Sequence, residues 1–239
     1  MVKVFAHRGA SGTHPENTAA AFNQALVLGV EAVEFDVRLS RDSRLVVIHD
    51  ATVDRTSDGV GQVSDLALDE IGKLDAGGWF GDAYRGQRFL TVEEALGLLQ
   101  GRARLNVHVK ATDQDREAVI SQTVAMLAER SLMGSAFLAS DQESIVRARQ
   151  LAPELDTCNL STKPKETYIA RSLSVGCRIL QPGHQQVDAE FVSEAHRHGL
   201  EVNPFYADEE SEMRRLIACG VDGILTNFPE RLMGLRAAL

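Results

Sequence analysis

EAVEFDVRLSRDSRLVVIH, residues 31–49, carries two apolar runs separated by a short polar turn. Parallel neighbours in a sheet need a crossover of about a dozen residues or more. The run LVVIH (45–49) therefore folds back antiparallel onto EAVEFDV (31–37), and this hairpin returns His49 to about the height of Asp36. Outside it, apolar runs recur at VKVFA (2–6), RLNVHV (104–109), SAFLA (135–139), LDTCNL (155–160), RILQP (178–182), LEVNPF (200–205) and DGILT (222–226). Helical spacing fills most of the gaps: TAAAFNQALVLG (18–29, with Gly29 placed to end it), TVEEALGLL (91–99), REAVISQTVAMLAER (116–130), DAEFVSEAHRHG (188–199) and SEMRRLIACG (211–220). Repeated strand–helix units imply parallel strands, and eight such strands close a (β/α)8 barrel. Nine strand candidates for eight places fit once LVVIH is the hairpin partner.

No linker, low-complexity tract or charge block divides the 239 residues, which read as a single domain over 1–239. The stretch from about Ala51 to Phe89 fits no simple strand–helix unit and contains the only tryptophan, Trp79. It reads as an inserted cap over the barrel mouth. A formal net charge of −9 argues against nucleic acid or an anionic membrane as partner. Cys158, Cys177 and Cys219 have no paired spacing and read as reduced thiols of a cytoplasmic protein. The opening MVKVFAHRGA enters a strand at once and lacks a signal peptide's apolar stretch. No window is long and apolar enough to span a bilayer.

Four places can carry chemistry. Glu34 and Asp36 stand at i and i+2 of a strand and share a face. An isolated ExD is more often a solvated edge, but these carboxylates interrupt an apolar, barrel-like strand. Buried unpaired carboxylates are costly, and a divalent cation offsets that cost. His7 and Arg8 close the first strand, at the end of a barrel strand where side chains serve the site. Arg8 offers a planar fork for two phosphate oxygens, and His7 brings an imidazole, a group that can serve as acid or base. His49, closing VVIH, would complete an acid–base pair with His7 across a scissile P–O bond. Asn106, His108 and Lys110 alternate on one face of their strand, with Lys110 supplying positive charge for phosphate. His14, His184, His196 and His198 lack such surroundings and read as surface or local structural residues.

AHRGASGTHPENTAAAF (6–22), EFDVRLSRDSRLVVIHDATVDRTSDGVGQV (34–63), LDAGGWFG (74–81) and GVDGILTNFPERL (220–232) together resemble the glycerophosphodiester phosphodiesterase family over almost the whole chain. The resemblance implies a TIM (β/α)8 barrel with a small insertion after the second strand region. It implies metal-dependent hydrolysis of glycerophosphodiesters to glycerol 3-phosphate and an alcohol. His7 and His49 are then the catalytic pair, Arg8 and Lys110 bind phosphate, and Glu16 of PENT orients Arg8. Glu34 and Asp36 hold the metal, commonly Mg²⁺ or Ca²⁺. The nucleophile is either water or the substrate's own glycerol hydroxyl, through a cyclic phosphate. The substrate is a small phosphodiester; lysophospholipids, another organic phosphodiester, or binding with weakened catalysis are the alternatives. No stable membrane association is expected.

Three departures from the family pattern stand out. NVHVK (106–110) places His108 where a carboxylate ligand is usual, which favours Mn²⁺, Co²⁺ or Zn²⁺ over harder ions. LEVNPF has Asn203-Pro204-Phe205 in place of the usual Trp-Thr, and Pro204 ends that strand. Thr226-Asn227 replaces the usual Thr-Asp.

Overall fold

The computed structural model describes residues 1–237. In chain order the elements are β1 (Lys3–His7), α1 (Ala19–Leu28), β2 (Ala32–Leu39), β3 (Leu45–Val47), α2 (Leu68–Ile71), α3 (Val92–Leu99), β4 (Arg104–Val109), α4 (Arg116–Glu129), β5 (Ala136–Ser140), α5 (Gln142–Leu151), β6 (Asp156–Asn159), α6 (Tyr168–Ser174), β7 (Ile179–Leu180), α7 (Ala189–Arg197), β8 (Glu201–Val202), α8 (Glu210–Cys219), β9 (Gly223–Thr226) and α9 (Pro229–Ala237). Eight strands run parallel in the order β8-β7-β6-β5-β4-β2-β1-β9, and β3 pairs antiparallel with β2. The result is a nearly closed TIM barrel with helices between the strands.

Strand alternation sorts the side chains. Phe5, Ala32, Phe137, Ala139, Cys158, Ile179 and Leu225 point inward and form one apolar cluster. Their neighbours Val4, Ala6, Val33, Phe35, Val107 and Leu138 point outward into a larger cluster beneath the helices. The helices begin and end where their caps dictate. Thr18 accepts from the Ala21 amide at the start of α1, and Gly29 closes it with φ 75°. Thr91 and Glu94 form a reciprocal capping box on α3, and Asp188 caps α7.

The hairpin is as expected from the sequence. Val37, Arg38 and Leu39 of β2 pair with Val47, Val46 and Leu45 of β3, and the Ile48 amide donates to the Asp36 carbonyl at 3.1 Å. β3 thus takes over the edge of β2 that β1 occupies lower down and lifts His49 to the mouth. The seam between β8 and β9 is irregular because Pro204 has no amide hydrogen to donate. Hydrogen bonds from Asp222 N to Val202 O and from Leu225 N to Pro204 O, both 3.0 Å, join its sides.

Residues 51–89 contain α2 and two single turns of 3₁₀ helix, Val63–Asp65 and Asp82–Tyr84. They build their own small core from Val53, Val63, Ile71, Ala76 and Phe89 against Val46 and Ile48 of the hairpin. Contacts to the loop before α1 anchor this segment: Tyr84 Oη donates to Thr13 O at 2.8 Å. No helix among the described residues is long and apolar enough to cross a membrane. All three cysteines have free thiols.

Candidate active site and cation site

A cavity of about 250 Å³ opens at the C-terminal end of the strands and brings together His7, Arg8, Glu34, His49, His108 and Lys110. Leu160, Gln181, Phe205, Tyr206 and Leu225 line its other side. No lining residue comes from 51–89.

β2 supplies Glu34 and Asp36 on one inward face, both buried. In register, Asp36 faces His108 of β4. One donor atom from each of Glu34, Asp36 and His108 lies within 4.8 Å of the other two. His108 Nδ1 sits 3.3 Å from Asp36 Oδ1 and 3.6 Å from Glu34 Oε1. Those two carboxylate oxygens are buried and accept no hydrogen bond. A divalent cation fits this donor set: two anionic oxygens otherwise left with open lone pairs, beside a ring nitrogen.

Positive groups flank the carboxylates. Arg8 Nε is 3.2 Å from Asp36 Oδ2, and Lys110 Nζ is 3.2 Å from Asp36 Oδ1. Burial works to raise the Asp36 pKa, but His108, Lys110 and Arg8 together hold it well below the usual range. Asn17 also grips Asp36, donating from Nδ2 to Oδ2 at 3.0 Å. Asn17 adopts φ 59° and Arg8 φ 56°, left-handed backbone that is uncommon outside glycine. The Arg8 amide donates to Glu34 Oε2 at 2.9 Å. Glu16 accepts from Arg8 Nη1 at 2.9 Å, placing it where orientation of Arg8 requires.

The two histidines sit on opposite flanks. His7 Nδ1 meets Asn227 Oδ1 at 2.7 Å, and Asn227 Nδ2 donates to Asp208 Oδ2 at 2.7 Å. That second bond orients the amide so its oxygen faces the ring; Nδ1 of His7 therefore carries the proton and Nε2 remains for chemistry. His7 also stacks on Tyr206, centroids 5.0 Å apart. His49 Nδ1 meets Asp50 Oδ1 at 2.6 Å. Hydrogen bonding from Arg55 above all, against partial burial and with help from His49, lowers the Asp50 pKa to about 2. The ionised Asp50 thus accepts a hydrogen bond from His49 Nδ1–H, which keeps that proton on Nδ1 and leaves the Nε2 lone pair free. Burial first, then Lys110 and Arg8, lower the His49 pKa against the opposing pull of Asp36 and Asp50.

Of the residues expected in the site, His7, Arg8, Glu34, His49, His108 and Lys110 line this mouth, with Asp36 buried beside His108 and Glu16 one contact behind Arg8. Asn106 lies deeper in the interior, its side-chain amide without a partner. His14, His184, His196 and His198 make local contacts with Thr13, Glu212, Asp222 and Glu194. Sequence reading missed Asn17, Arg55, Gln181, Tyr206 and the Asn227–Asp208 pair. Asn17 had a signal, a residue suited to left-handed backbone directly after Pro-Glu, and Thr226-Asn227 stood out only as a departure. Tyr206 and Gln181 follow strand ends without any pattern.

Fold and site together define a TIM-barrel protein with a candidate cation site between two histidines, set beside an arginine and a lysine. Residues 7–231 match the model of the Glycerophosphoryl diester phosphodiesterase family. A glycerophosphodiester phosphodiesterase of Caldanaerobacter subterraneus subsp. tengcongensis is 35% identical over 234 residues, covering 97% of this chain and 96% of that one. One from Bacillus subtilis is 31% identical over 246 residues, covering 94% and 83%. Among solved structures, an Oleispira antarctica phosphodiesterase in complex with the product sn-glycerol-3-phosphate superposes with a TM-score of 0.92 at 30% identity, covering 98% of this chain and 96% of that one. The chain belongs to the glycerophosphodiester phosphodiesterase family.

Proposed function

We propose that this protein hydrolyses glycerophosphodiesters to glycerol 3-phosphate and an alcohol, with a divalent cation held by Glu34, Asp36 and His108. The observation that carries this reading is the convergence of His7 and His49 on one cavity that also holds Arg8, Lys110 and the buried carboxylates. A cation bound there would withdraw charge from a phosphoryl oxygen and favour ionisation of a nearby hydroxyl. Arg8 and Lys110 neutralise the remaining phosphate charge, and Glu16 keeps the Arg8 fork in place. His49, with its Nε2 lone pair free, takes the proton from the attacking hydroxyl. That oxygen bonds to phosphorus, the bond to the departing alkoxide breaks, and His7, which enters the step as the imidazolium, gives its Nε2 proton to the alkoxide. The attacking hydroxyl is that of water, or the substrate's own glycerol hydroxyl, in which case water must then open the cyclic phosphate to glycerol 3-phosphate in a second step.

His108 contributes a nitrogen where a third carboxylate would add a hard oxygen, so Mn²⁺, Co²⁺ or Zn²⁺ suits the set better than Ca²⁺ or Mg²⁺. Three free thiols accord with a reducing, cytoplasmic setting. The test is glycerol 3-phosphate release from glycerophosphocholine across a panel of divalent cations. Metal-dependent release is expected; hydrolysis of lysophospholipids with glycerophosphocholine untouched would transfer the reading to that substrate class.

A further inference from the structure

The cavity has two unlike walls. β1, β2 and β4, together with Arg8, His49 and Lys110 just beyond strand ends, contribute the histidines, cations and carboxylates, whereas Leu160, Phe205, Tyr206 and Leu225 make the facing wall largely apolar. Gln181 is the one buried polar side chain in that facing wall. It follows β7, where alternation turns Ile179 and Gln181 inward and Leu180 outward. Its backbone is held firmly: the Gln181 amide donates to Tyr168 Oη at 3.1 Å, and that hydroxyl donates to the Asn159 carbonyl at 2.7 Å. Its side chain is 2% exposed, yet Nε2 has no hydrogen-bond partner. A buried amide end without a partner destabilises the fold, and an apolar residue would fill the same space without that penalty.

We propose that Gln181 is a specificity-determining residue that hydrogen-bonds a glycerol hydroxyl of the substrate. The assignment rests on the glycerophosphodiester reading above and names the group that tells glycerol from a plain alkyl chain. With the phosphate held against Arg8 and Lys110, the organic part of the substrate extends toward the facing wall. Leu160, Phe205 and Leu225 accept its carbon atoms but offer its hydroxyls nothing. Gln181 supplies both a donor and an acceptor there, and an alkyl phosphate leaves that buried amide unpaired.

The test compares binding of glycerol 3-phosphate and 1-propyl phosphate, which differ only in the two hydroxyls, by calorimetry on the metal-loaded protein. Wild type should favour glycerol 3-phosphate. Gln181→Met keeps the length and removes the amide. It should weaken glycerol 3-phosphate by about tenfold, the scale of one hydrogen bond, and leave 1-propyl phosphate within about twofold. Gln181→Asn, which keeps the amide but shortens its reach, should lose the same preference and guards against a misfolded Met variant. Unchanged glycerol 3-phosphate affinity in both variants, or equal weakening of both ligands, overturns the assignment. Glycerophosphocholine turnover by wild type separates this failure from that of the parent reading. Inertness with every metal refutes both, whereas turnover with unaltered affinities in the variants refutes the role of Gln181 alone.

Discussion

His7 and His49 present the same ring to one cavity from unlike surroundings, and the proposed division of acid and base rests on that difference. An ionised carboxylate, Asp50, orients His49, and burial beside Lys110 and Arg8 disfavours its protonated form. A neutral amide orients His7. Replacing either by alanine should lower kcat by at least about a hundredfold, the low end for loss of a general acid or base. Near-wild-type turnover in one variant would remove that histidine from the mechanism. Since the His49 pKa lies below its ordinary 6.5, the base form persists into mildly acidic solution. The acid limb of kcat/KM should fall below pH 6.5. The unfolded chain takes up that proton more readily, so the group's share of stability is complete above 6.5 and lost as pH falls through the folded value. His108→Glu should move the metal preference toward Mg²⁺ and Ca²⁺, read as activity across a cation panel; an unchanged preference would place His108 outside the cation's ligands.

Among the elements, the hairpin was the most legible, because a five-residue polar turn between two apolar runs admits only one pairing. The paired acids followed from strand alternation alone. β7 and β8 shrink to two residues each where longer runs were expected, since Pro182 and Pro204 cannot extend the ladder. Helices α5, α6 and α9 were not picked out of the sequence, although α5 with ten residues is as long as α1. Arg55, within residues 51–89, was not legible because one of its two partners, Glu16, lies 39 residues away. Its Nε donates to Asp50 at 2.6 Å, and Nη1 and Nη2 donate to Glu16 at 2.9 and 2.8 Å. One side chain from the inserted segment therefore ties the partner of His49 to the partner of Arg8. Arg55→Gln should lower kcat/KM by about tenfold through loosened positioning, and Arg55→Lys should restore little because an ammonium lacks the planar fork. Steady-state kinetics on both variants check this; full rescue by lysine would show that charge alone suffices.

The whole barrel carries its charge in two unequal layers. At the N-terminal end Glu201 bonds Lys3 and Arg104, and Arg104 also reaches Asp156, so acids and bases there satisfy one another. At the C-terminal end Glu34 and Asp36 keep buried oxygens without hydrogen bonds, and the molecule as a whole is at −9. Stability has been conceded at the mouth in a way that a cation would reverse. Binding to the folded state alone adds about 2.7 kcal/mol at a hundredfold excess over Kd. For a chain of this size that corresponds to a rise in Tm of roughly 5–10 °C. Thermal unfolding with chelator and then with Mn²⁺ should show that rise. Glu34→Gln should match or exceed wild type in chelator, because it removes a buried charge, and gain little from Mn²⁺. Equal gains in wild type and variant would mean that the cation binds elsewhere, and that the two carboxylates serve the fold in some other way.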